Sequence, residues 1–225
     1  MREGKKMKKT IITILVSFFL TVPLTSARAV DLSGLSLGIS GGYFGAYGYG
    51  KITEASITTE EAGAFAAEYG AIFAEYNLGA VSIGVSYVPY SIETPQNTNV
   101  QGQSAGTVNV NTNQAQAEFE DLTTVYLLAP IYGPLYGKVG YSRTDVITTE
   151  TIASGDKFNN TDTDGFTAGL GLQKEVDDLA GVTIRLEVLA AQYDDVSAVS
   201  TNGTKNVSVG DLQSAQATVS IMKSF

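Results

Sequence analysis

The sequence predicts an all-β protein, an eight-stranded antiparallel barrel that crosses a membrane as a single up-and-down meander. Three observations carry this reading. Segments of strictly alternating bulky and small residues recur along the chain. The connections between them alternate short and long, the habit of membrane barrels. Past the first thirty residues no run approaches the length of apolar sequence that a spanning helix needs.

The first strand opens at Leu35. Its odd positions read Leu35, Leu37, Ile39, Gly41, Tyr43, Gly45, Tyr47 and Tyr49, against Ser36, Gly38, Ser40, Gly42, Phe44, Ala46 and Gly48. Such a period of two means a strand with unlike faces. Thr58 to Tyr76 supplies the second strand, although Phe65, Tyr69, Ile72, Phe73 and Tyr76 also suit helical spacing. Thr58 with Glu61 even imitates a capping box. A helix there would leave seven strands and break the alternation of connections, so the strand is preferred, with partial helicity left open. The third is Val81, Ile83, Val85 and Tyr87 against Ser82, Gly84 and Ser86. The fourth is Phe119 to Ala129, where Val125 to Ala129 is apolar on both faces. Leu135, Val139 and Tyr141 face Lys138, Gly140 and Ser142. Phe166, Ala168, Leu170 and Leu172 oppose Thr167, Gly169, Gly171 and Gln173. Val182, Ile184, Leu186, Val188 and Ala190 oppose Thr183, Arg185 and Glu187. The last strand sets Ala215, Ala217, Val219, Ile221 and Phe225 against Ser214, Gln216, Thr218 and Ser220.

Alternation alone does not say which face is inside. A soluble sheet would wet its second face with Lys, Glu, Thr and Arg, which keep strands from aggregating. Here that face is largely Gly, Ser, Thr and Gln, good fillers for a narrow curved interior. Bulky side chains therefore face lipid and small or polar ones face inward. Tyr43, Tyr47, Tyr49, Tyr87, Tyr141 and Tyr193 fall towards one rim, and Tyr76, Tyr132 and Phe225 towards the other. Amphipathic rings favour such paired girdles.

Short connections are expected at Asn77–Ala80, Pro130–Pro134 and about Val176–Gly181. Long loops are expected at about Gly50–Ala66, Pro89–Ala117, Ile147–Asp162 and Asp194–Gly210. Four long and three short connections give eight strands with both termini on the short-turn side. Spanning strands of about 9–11 residues would use roughly 80 residues, leaving the rest for the loops.

Residues 1–29 read as a secretory signal peptide. Arg2, Lys5, Lys6, Lys8 and Lys9 precede a short apolar run, and Ala27-Arg28-Ala29 makes a small-residue cleavage site. Translation could begin at Met1 or Met7. The leader holds six of the 14 basic residues and one of the 23 acidic ones, so residues 30–225, the barrel domain, carry 8 against 22, net −14. So acidic a chain does not neutralise phosphates, and nucleic acid is not an expected partner. The absence of Cys and His removes disulfides, thiolate zinc sites, and the commonest base and metal ligand. Charged residues are 16% of the chain, below the ~25% usual for soluble domains.

Four inward charges stand out: Lys138, Arg185, Glu187 and, from the second strand, Glu75. Arg185 and Glu187 are two apart on one strand and share a face. In a barrel just wide enough for side chains to fill, these four suit a structural ion-pair cluster better than a pore lining. Asn160-Thr-Asp162-Thr-Asp164-Gly165 resembles the front half of a calcium loop, but Gly171 stands where the bidentate Glu belongs. A polar approach to a strand explains it better, and no metal or cofactor is expected. Gln96–Gln116 lacks aromatic and charged residues, so it cannot bury a core of its own and reads as a loop over the barrel mouth. Asn159, Asn202 and Asn206 begin glycan-acceptor triplets that would be idle in a bacterial envelope.

Together, the leader, the alternating segments and the terminal Phe225 resemble the small bacterial outer-membrane barrels of the OmpA-like and OmpX-like type. The resemblance spans nearly all of residues 30–225 and is architectural. It implies a Gram-negative outer membrane, periplasmic termini, extracellular long loops and outer-membrane lipid as solvent. It also implies periplasmic chaperones and the barrel-assembly machinery as partners in biogenesis. Phe225, with Ile221, Val219 and Ala217 at alternate positions, resembles the signal that machinery reads. Lys223 departs from the pattern, although near an interface it can snorkel. Some barrels of this architecture modify lipids through a Ser or His constellation, and this chain has none. The function expected is non-enzymatic: envelope structure and surface display around a mostly filled lumen. The alternatives are a small porin-like channel, a soluble secreted ligand-binding barrel, or a surface adhesin whose ligand the sequence does not reveal.

Overall fold

The computed structural model describes residues 33–54, 57–102, 110–152, 157–176, 179, 181–201, 203 and 205–225. The leader and its cleavage site lie outside the described residues. Eleven strands follow: β1 (Leu35–Glu54), β2 (Ile57–Asn77), β3 (Ser82–Tyr87), β4 (Ile92–Glu93), β5 (Asn97–Gly102), β6 (Val110–Tyr132), β7 (Leu135–Thr151), β8 (Thr161–Glu175), β9 (Val182–Tyr193), β10 (Val196–Val199) and β11 (Lys205–Ser224). Eight of them close a ring. The order is β1, β2, β3, β6, β7, β8, β9 and β11, with β11 pairing back to β1. Neighbours in the ring are antiparallel. β4 and β5 extend the wall against β6, and β10 extends it against β11. Closure gives each of the eight strands two neighbours, which satisfies backbone groups that hydrocarbon cannot.

The alternation settles into the orientation argued above. Phe166 is 74% exposed and Val188 65%, on the outer face with Val85, Val125, Leu127, Val139, Leu170, Leu186, Val219 and Ile221. Ser142, Thr144, Thr163, Thr167, Ser214, Thr218 and Ser220 are buried inside. The Val125–Ala129 stretch resolves by parity: Val125 and Leu127 point out, Tyr126 and Leu128 in. Tight connections join β2 to β3, β6 to β7, and β8 to β9 at one end. There the Gly34 amide also donates to the Phe225 carbonyl, 3.2 Å.

Thr58–Tyr76 lies entirely within a strand, β2, as preferred from the sequence, while several other expectations are corrected. Phe65, Tyr69 and Phe73 are spaced by four, which is an even number, so the spacing that suits a helix also puts them on one strand face. The long connections are mostly sheet. β1 and β2 stay paired from Leu35/Tyr76 up to Glu54/Ile57, and β5 pairs β6 through the stretch read as a coreless loop. Beyond the lipid there is no bulky outer face, so the period-two signal fades while the backbone ladder continues. Tyr193 is not a girdle residue but is buried in the lumen, because its parity in β9 matches Arg185 rather than Val188. The calcium-like run is strand from Thr161 onward, and Asp162 pairs with Arg143 at 3.1 Å.

Candidate functional site: the barrel interior

The interior is built in layers. Strand alternation in β9 aims Arg185 and Glu187 inward from adjacent inner positions, Lys138 enters from β7, and Glu75 from β2. All four are buried. The Lys138 Nζ lies 3.2 Å from Glu187 Oε1 and 3.4 Å from Oε2. The Arg185 Nη1 donates to Glu75 Oε1 at 2.5 Å, and its Nε to Gln173 Oε1 at 3.2 Å. Tyr126 donates its hydroxyl to the same Glu75 oxygen, 2.8 Å. Lys138 also sits 4.0 Å above the centre of the Tyr126 ring, and the Arg185 guanidinium 5.3 Å from that of Tyr136.

Two acids and two bases thus neutralise one another in a space shielded from water. Burying such charges is costly unless each is paired and further hydrogen-bonded, and Tyr126, Gln173 and the aromatic faces supply those extra partners. Sequence reasoning missed Tyr126, Tyr136 and Gln173. Tyr136 was findable, being two residues from Lys138 on the same strand face.

Towards the long-loop end an apolar plug replaces the charges. Phe44, Ala46, Tyr69, Ala71, Val88, Ile92 and Leu122 cluster on one side, with Phe65 and Phe119 packed against them. Val146, Ala191, Tyr193, Val196 and Leu212 cluster beside them. Phe65 and Phe119 stack with centroids 5.7 Å apart. Phe119 reaches the plug through a bulge at Asp121 (φ 53°), where β6 takes one more residue than β7 and its parity flips. Between plug and charges remains a cavity of about 30 Å³, edged by Ser40, Tyr69, Gln216 and Thr218. At the short-turn end a vestibule of about 380 Å³ reaches down to Glu75, Tyr136 and Arg185.

Val219 and Ile221 point outward from β11, and Phe225 stands exposed at the short-turn rim, its amide donating to the Leu35 carbonyl at 2.9 Å. At the opposite end Lys51 pairs with Glu60 at 2.9 Å, and that hydrogen bond raises the ammonium above the usual lysine range. Among the described residues, no group of three or more Asp or Glu is placed to hold a metal ion.

A closed ring of eight antiparallel strands, with an apolar outer band and a polar, ion-paired interior, defines an outer-membrane β-barrel. Solved structures agree on the fold. The outer membrane protein OprG from Pseudomonas aeruginosa matches with a TM-score of 0.53 at 11% identity, over 86% of this chain and 97% of that one. The outer membrane protease OmpT from Escherichia coli matches with a TM-score of 0.54 at 8% identity, over 89% and 100%. No sequence-family model and no curated protein sequence matches the chain.

Proposed function

We propose that the protein is a non-enzymatic, integral outer-membrane protein that contributes to the envelope and displays its long sheet extensions at the cell surface. The filled lumen carries this reading. The ion pairs and the apolar plug leave only the cavity of about 30 Å³ between them, too small to pass a solute. The rival reading, a small porin-like channel, needs a continuous aqueous path. Planar-bilayer recording of the purified barrel separates the two: a silent bilayer is expected, and stable single-channel steps would overturn the filled-lumen reading.

In this reading the leader is removed after Ala29, lipid is the solvent of the outer face, and assembly machinery reads Val219, Ile221 and Phe225. The termini face the periplasm and β5 faces the medium. The absence of cysteine makes orientation simple to test. On intact cells, Thr98→Cys should react with a membrane-impermeant maleimide and Gly79→Cys should not; the reverse pattern would invert the topology. Deleting Gln96–Gln116 tests the adhesin alternative, for which loss of surface binding is the expected sign.

A further inference from the structure

The ring is sealed unevenly. β2 pairs β3 only from Ile72/Tyr87 to Asn77/Ser82, whereas its other side follows β1 all the way to Ile57. Above Ile72 the wall parts. β4 and β5 stay with β6, and among the described residues no strand pairs with the outer side of β2 from Thr58 to Ala71. The direction of its backbone groups can be read. The carbonyls of Glu61, Phe65 and Tyr69 approach glycines of β1, so the intervening residues turn their amides and carbonyls to the open side. The Tyr90 hydroxyl stands beside Gly70 at the foot of the gap, 3.2 Å from where a Cβ on that glycine would sit.

Exposed edges are normally blunted by Pro, Lys, bulges or short length. This edge has none of these. Its middle reads Ala62-Gly63-Ala64-Phe65-Ala66-Ala67, without charge. Its surroundings have one sign: residues 48–71 and 88–121 hold eight acidic residues and one basic, Lys51, which Glu60 already engages.

We propose that the open side of β2, centred on Ala62, Ala64 and Ala66, is a docking edge for an extended cationic polypeptide segment that adds as a further strand. Backbone hydrogen bonds supply affinity and the acidic surround supplies charge selection. A second copy of the chain is disfavoured at the same edge, because two such acidic surfaces repel. The inference deepens the surface-display reading but does not depend on which side of the membrane the edge faces, so a failure of topology and a failure of docking are separable.

The test uses the intact barrel in nanodiscs of zwitterionic lipid, with a twelve-residue peptide alternating Lys and Thr and a Glu/Thr counterpart. The Lys/Thr peptide should bind, and amide exchange at Ala62, Ala64 and Ala66 should slow by about tenfold or more on binding. Ala64→Pro removes an outward amide while sparing the β1 ladder, and should weaken binding by about tenfold. Equal binding of both peptides, undiminished binding by Ala64→Pro, or unaltered exchange in the wild-type barrel would each overturn the proposal. So would an Ala62→Cys barrel that crosslinks to a second copy without peptide. The exchange measurement stands even if the proline variant does not fold.

Discussion

Phe73 lies directly opposite Gly38 across the β1–β2 ladder, and its ring occupies the space where a side chain at 38 would begin. A Cβ on Gly38 would sit 2.2 Å from the ring Cζ. The arrangement recurs: Tyr126 covers Gly84 from the facing position on β6, and Tyr136 covers Gly171 across β7 and β8. Laid against the wall, these rings fill the lumen while the glycines give them room, and two of them become the aromatic faces over Lys138 and Arg185.

Gly38→Ala should therefore displace Phe73 and destabilise the barrel by about 1–3 kcal/mol, with much of the loss recovered in Gly38→Ala/Phe73→Leu. Gly42→Ala should be harder to accommodate, because its Cβ would meet the Ala217 carbonyl oxygen at 2.0 Å, a backbone atom with little freedom. Urea titrations read by heat-modifiable gel migration would rank them; equal stability of all three variants and wild type would contradict the packing described.

Glu75→Gln leaves the Arg185 guanidinium buried without its carboxylate. The expected loss is about 3–5 kcal/mol, whereas Glu75→Leu/Arg185→Met, which removes both charges, should cost markedly less. A double-mutant cycle on the denaturation midpoints measures the coupling, and additive losses would mean that the pair does not act as a unit.

Position along β9 should set the cost of a charge on the outer face. Val188→Arg, near the middle of the strand, should lose about 2–4 kcal/mol, and Gln192→Arg, near its long-loop end, about 0–1. Comparable losses at both sites would argue against a lipid-facing band. The same refolding titration in detergent or liposomes reads both.

Asp211 holds a left-handed backbone (φ 51°) at the point where β11 takes one more residue than β1. Asp211→Gly should raise stability by up to about 1 kcal/mol, because glycine adopts that conformation without strain, and Asp211→Val should lower it. At the corresponding residue Asp121, the Tyr87 hydroxyl donates to the side chain at 2.5 Å, so Asp121→Gly should show a smaller gain or a loss. Thermal melts in one detergent decide the order.

Within the lipid band the sequence is legible because the environment is two-sided. Val188 and Glu187 must part by parity, so eight strands, their faces and the inward placement of the charges follow from period two. Outside the band that contrast vanishes. Thr53 and Thr58 are partners at 3.2 Å in a β-hairpin, yet their polar neighbourhood carries no alternation to announce it. Tyr193 shows the limit in another form: a residue type that suits a girdle was decided by register rather than by chemistry.

The order of residues alone determined the class: alternation with a small, polar second face admits hydrocarbon outside and a packed lumen within. Tertiary structure alone decided which inward residues meet. Glu75 and Arg185 are 110 positions apart, and the ring's closure and stagger, set by the whole set of inter-strand registers, bring them into contact. Among the described residues, the same closure left the side of β2 away from β1 unpaired above Ile72. Pairing at that height depends on where β3 gives way to β4 and β5, a choice made by the sheet as a whole and by no local pattern.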